Sequence, residues 1–167
     1  LRNLVAAGAP FRKAITMPEL QSDTTVYRAF SNKAIAYLER AIELEPEDED
    51  AGIELGLAYI ESRAPGMSMQ GITKLVEIVN RNPKNTEALF YLGRFSMDTG
   101  QYEKAVARYR QILEAQPDNV QAKYYLAVSL SATGQSAEAK KYMTEVAEQE
   151  QDPELSAAAT ADLRKLK

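Results

Sequence analysis

The chain has 167 residues, 45% of them hydrophobic and 26% charged, a length and balance that bury a core and exclude a disordered segment. With 20 basic and 24 acidic side chains the net charge is −4, which argues against nucleic acid as a partner. Cysteine and histidine are both absent, removing disulfides, thiol nucleophiles, the usual zinc sites and imidazole acid–base chemistry.

Residues 1–22 are the least regular part. Leu1, Leu4, Val5, Phe11, Ile15 and Leu20 supply apolar surface, while Pro10 and Pro18 interrupt it. The segment reads either as a first helix followed by a long linker or as a stretch lying on the rest of the chain, and in the second case it competes for any groove as an internal ligand. Its longest apolar stretch, Leu4 to Pro10, is far short of the ~20 residues that span a membrane. The sequence opens at Leu1, without methionine, from which an upstream segment is expected.

From Asp23, a residue with N-cap chemistry, Val26, Tyr27, Phe30, Ala34, Leu38 and Ala41 follow one helical stripe, closed by Pro46. This span, 23–46, reads as a partial repeat. The run Glu43, Glu45, Glu47, Asp48, Glu49 and Asp50 lacks the glycine and ligand alternation of a calcium loop and suits a solvated turn ahead of a helix N-terminus. Leu55-Gly56 and Tyr59 then open a unit that Gly71, Leu75 and Pro83 close, spanning 49–83. Its two halves are three residues out of frame, and the insertion falls in the loop Ser62 to Gly66.

Residues 86–119 and 120–153 are two copies of one 34-residue unit, identical at Ala88/Ala122, Tyr91/Tyr125, Leu92/Leu126, Thr99/Thr133, Gly100/Gly134, Gln101/Gln135, Ala105/Ala139, Glu114/Glu148 and Asp118/Asp152. Ordinary composition would give about two such identities. In the first copy Leu89, Leu92 and Phe95 keep helical spacing, Gly93 and Ala105 are small where two helices cross, Gly100 ends the first helix and Pro117 the second. Residues 154–167 form a last helix, with Leu155, Ala159, Leu163 and Leu166 on one seam and Asp162, Arg164, Lys165 and Lys167 elsewhere, the pattern of a capping helix.

The period of 34, with Leu89-x2-Leu92-Gly93-x2-Ser96, Gly100-Gln101, Ala105-x3-Tyr109 and Pro117, resembles the tetratricopeptide repeat (TPR) family. The resemblance implies an all-α fold, a TPR-type α-α superhelix: a right-handed solenoid of antiparallel helix pairs, with about three and a half repeats in 23–167 plus the cap. It also implies a concave face lined by the first helix of each unit. The family's geometry places Ile53, Leu57 and Ile60 there, then Phe90, Arg94 and Met97, then Tyr124, Val128 and Ser131, with Tyr91 and Tyr125 at the edge. Such a surface is apolar and aromatic with one cation, suited to a peptide or helix with hydrophobic anchors; the alternative is that these side chains pack between units or under residues 1–21. The lysine and asparagine clamp by which some family members hold a C-terminal carboxylate is not expected, since Ile53, Leu57, Phe90 and Tyr124 occupy its positions.

Pro65 to Ile72, Asn82 to Asn85 and Leu92 to Val106 are further similar to the C-terminal repeats of bacterial TPR proteins that carry an N-terminal membrane anchor. This likeness spans roughly residues 50–160 and implies a periplasmic, anchored location, with a cytoplasmic one as the alternative. The functional expectation is a non-enzymatic scaffold that binds a partner protein without a cofactor. The rival expectation is self-association through the incomplete N-terminal repeat, giving a weak homo-oligomer.

Overall fold

The computed structural model describes residues 2–149 and 151–165, which carry ten α-helices and no strand among them. Chain contacts divide the sequence at Pro83 into two units, 1–83 and 84–167. Leu1, Leu166 and Lys167, which the sequence placed in the N-terminal segment and the cap, lie outside the described residues.

The first unit holds α1 (Arg2–Ile15), the short α2 (Pro18–Gln21), α3 (Thr24–Leu44), α4 (Glu49–Glu61) and α5 (Met67–Arg81). Asp23 caps α3, its side chain accepting from the amides of Thr25 and Val26, which satisfies donors that a helix start otherwise leaves open. Tyr27, Ser31, Ala34, Ile35, Leu38 and Ala41 form its buried stripe. The chain reverses through residues 16–23, so α1 lies back along α3, with Phe11 edge-on to Phe30 and stacked on Tyr37. Pro10 sits inside α1 and does not end it. Ala34, Ile35, Leu38, Leu55, Ala58 and Tyr59 form the core of this unit, with Val5, Phe11, Ile42 and Met67 packed against it. Leu38 and Leu55, almost fully withdrawn from water, each contribute about 1.5–3 kcal/mol.

Asp48 caps α4 through the amide of Ala51, and the charge run before it is mostly exposed. Helices α4 and α5 cross backbone to backbone at Gly56 and Gly71, where a β-carbon on Gly71 would lie 2.3 Å from the Gly56 carbonyl oxygen. Five residues, 62–66, join α4 to α5, whereas three join each later pair, and α5 runs 15 residues where its counterpart α7 runs 14. Against the α6–α7 pair, this pair is longer by two residues in its loop and by one in its second helix.

The second unit holds α6 (Thr86–Asp98), α7 (Tyr102–Ala115), α8 (Val120–Ala132), α9 (Ser136–Ala147) and α10 (Pro153–Leu163), each packed on the next. Asn85, Asn119 and Asp152 cap α6, α8 and α10 in the same way, their side chains accepting from the amides of Ala88, Ala122 and Leu155. Gly100 and Gly134 turn the chain at φ 72° and 79°, a left-handed conformation that glycine adopts without strain. Leu92, Ala105, Tyr109 and Ile112 are buried, as are their counterparts Leu126, Ala139, Met143 and Val146. Ala159 closes the last layer at 0% exposure, with Leu155 and Leu163 packed beside it.

Candidate functional site

The repeat places aromatic residues at matched positions on α6 and α8 in the second unit. Phe90 packs edge-on to Tyr125, with ring centroids 5.5 Å apart, and also against Tyr91 and Tyr109. Tyr125 is stacked on Tyr109 at 5.8 Å and lies edge-on to Tyr124 at 5.3 Å. These are the separations and tilts at which ring quadrupoles attract. Arg94 crosses from α6 to α8: its guanidinium lies 4.7 Å from the Tyr125 ring centre, and Nη1 donates to the Tyr125 hydroxyl at 2.8 Å.

Tyr109, on α7, is the floor of this cluster. It is fully buried, and Gly93 makes room for it, since a β-carbon there would lie 2.7 Å from the ring. Its hydroxyl reaches Met97 Sδ at 3.6 Å. Burial pushes the Tyr109 phenol well above its ordinary range. Burial, reinforced by the carboxylate of Asp162, also pushes Tyr124 up to about 12, and the Tyr124 hydroxyl donates to Asp162 Oδ2 at 3.0 Å. Phe90, Tyr91, Tyr124 and Tyr125 remain half-exposed, and Arg94 is exposed.

Of the residues expected on a concave face, Phe90, Tyr91, Arg94, Tyr124 and Tyr125 are brought together here, and Met97 touches their floor. Val128, also half-exposed, packs instead toward the core formed by α8, α9 and α10. In the first unit the expectation is corrected for two residues. Ile53 and Leu57 are 1% and 5% exposed and offer no open surface, while Ile60 is half-buried. Arg12 of α1 reaches α4 on either side of Leu57 in sequence: Nε meets Glu54 at 2.7 Å and Nη1 meets Glu61 at 3.0 Å. Burial raises the Glu61 carboxyl against the opposing pull of Arg12. Nothing in the spacing of the sequence foretells this triad. Tyr109 is visible in the sequence as a repeat position, but its role beneath the cluster depends on Gly93 and on partners from α6 and α8.

Among the described residues no set of acidic side chains is grouped to hold a metal ion, and no helix is long and apolar enough to cross a membrane.

The class of the protein follows from the stacked helix pairs and the 34-residue period: the chain is a tetratricopeptide-repeat protein. Two sequence profiles of the tetratricopeptide repeat match it, at residues 96–163 and 31–48. No curated protein sequence matches the chain. Among solved structures it is similar to a MamA fragment, 41 to the end, from Desulfovibrio magneticus RS-1, with a TM-score of 0.68 and 17% identity over 95% of this chain and 83% of that one. It is likewise similar to MamA AMB-1, with a TM-score of 0.65 and 22% identity over 86% of this chain and 75% of that one. MamA MSR-1 gives 0.60 and 22% over 83% and 70%. At these identities the likeness defines the fold.

Proposed function

We propose that the α6–α8 face of the second unit docks a segment of a partner protein through apolar anchors on Phe90, Tyr91, Tyr124 and Tyr125. As a tetratricopeptide-repeat protein the chain belongs to a class of protein-interaction scaffolds. The observation that carries docking on this face is the half-exposed aromatic cluster, prepaid in rigidity by the buried Tyr109 and edged by one cation, Arg94. Large aromatic side chains held in one conformation lose little entropy on binding and supply most of the energy of such contacts. The proposed scaffold does no chemistry of its own, in keeping with a sequence without histidine or cysteine.

Self-association through an incomplete first repeat has a weaker footing. The apolar side of α3 that motivated it is covered, since Val5 and Phe11 of α1 pack on the core that Ala34 and Leu38 help to build. Replacing Phe90 and Tyr125 together by alanine should abolish capture of the partner at unchanged helical circular dichroism. Equal capture by the double variant would refute the reading.

A further inference from the structure

The loop that lengthens the first unit also builds a cleft. Arg63 is the only non-glycine residue among those described with positive φ, at 57°, a conformation in which an L-residue is strained and glycine is not. Its guanidinium lies over the ring of Tyr27, 4.5 Å from the centre. Tyr27 is itself 7% exposed and anchored, its hydroxyl donating to the carbonyl of Glu61 at the start of the loop. The strained backbone and the stacked ring together fix an exposed cation at the edge of a cleft of about 380 Å³.

Across this cleft runs the stripe Thr24, Tyr27, Arg28, Ser31, Asn32 and Ile35 of α3, and Ala64, Pro65 and Met67 complete the wall. Arg28 and Arg63 are exposed, and neither meets a carboxylate among the described residues. Among the described residues no aspartate or glutamate lines the cleft, although the chain as a whole carries more acidic than basic side chains. Ile35 and Met67 give it apolar wall. From Thr24 to Ile35 the stripe is about 16 Å long at 1.5 Å per residue, the span of about five residues of extended chain.

We propose that this cleft docks an extended acidic peptide segment of a partner protein, an aspartate or glutamate carboxylate meeting Arg63 and Arg28 and a neighbouring apolar side chain resting on Ile35 and Met67. A guanidinium whose face is taken by an aromatic ring keeps its edge for paired N–H bonds to a carboxylate, and its pre-set orientation lowers the entropy lost on binding. Exposed Asn32 stands on the same stripe to bond the peptide backbone. This site is independent of the α6–α8 face, and the two readings can fail separately.

The test is a titration of the isotope-labelled full chain, followed by amide NMR, with Ac-Gly-Asp-Leu-Glu-Leu-Gly-amide and its Asn/Gln counterpart. The acidic peptide is expected to shift the signals of Tyr27, Arg28, Asn32 and Arg63, and to bind at least about tenfold more tightly than the neutral one. Arg63→Gly should lose that affinity while its thermal midpoint stays level or rises, because glycine relieves the strained φ. Arg28→Ala, on an exposed helix face, provides a second loss of affinity with the loop untouched. Equal affinity for the two peptides, retained affinity in both variants, or no shift at millimolar peptide would overturn the proposal. Shifts confined to α6 and α8 would also overturn it, and would leave the α6–α8 reading standing.

Discussion

Arg12 and Arg40 each pair with glutamate, yet their surroundings set very different values on the pairs. The Arg12 side chain is 9% exposed and meets two carboxylates, whereas Arg40 and Glu43 are 59% and 63% exposed. Arg12→Ala strands two partly buried carboxylates and is expected to cost about 1.5–3 kcal/mol in urea unfolding, against about 0–0.5 kcal/mol for Arg40→Ala. Equal effects would show that the triad gains nothing from burial. Gly71→Ala gives a second residue-scale expectation. Its new β-carbon meets backbone, which cannot rotate away, so a loss of about 1–3 kcal/mol is expected in the same measurement. At this scale the cap of α3 was legible, because Asp23 ahead of its apolar stripe states its own hydrogen-bonding role, whereas Asp48, Asn85, Asn119 and Asp152 emerge as caps only from the structure. The Arg12 triad was not legible, because its members are 42 and 49 residues apart and no local pattern links them.

Helix α1 shows what element-level reading misses. Pro10 and Pro18 signal interruption, but Pro10 lies within α1 and Pro18 begins the short α2, so only the second marks a break. The pairing of α1 with α3 depends on tertiary fit that includes Phe11 among Phe30, Tyr37 and Lys33, which no periodicity contains. Removing residues 2–15 should uncover the core around Ala34 and Leu38, raise the fluorescence of an apolar dye and lower the unfolding midpoint. Unchanged dye binding would mean that α1 covers nothing of consequence. The regular copies, by contrast, declared their helices through identities at an offset of 34, and Tyr109 and Met143 fill one position in two layers with different side chains. The aromatic cluster was legible as a set of helix positions. Its floor and its Arg94 bridge were not, since they follow from packing between α6, α7 and α8.

Across the whole chain, four phenols share one direction: Tyr27, Tyr59, Tyr109 and Tyr124 are all raised, and burial is the largest cause for each. A group raised in the folded state contributes stability that is present below its unfolded pKa and lost as pH rises through the folded one. The urea midpoint should therefore show no tyrosine-linked fall below the ordinary phenol value of 10.0 and should drop as pH rises toward about 12, the value of Tyr124. A midpoint unchanged up to that pH would contradict the assigned burial. Docking on the α6–α8 face is tested most directly by photocrosslinking. A photoreactive residue at position 90 of the full chain is compared with one at exposed Glu114 on α7, and the captured partner is then titrated against the wild type and Phe90→Ala/Tyr125→Ala. Capture of the same partner from position 90 alone is expected, with affinity falling about 100-fold or more in the double variant. Capture from position 114 alone, or an unchanged affinity, would contradict the account.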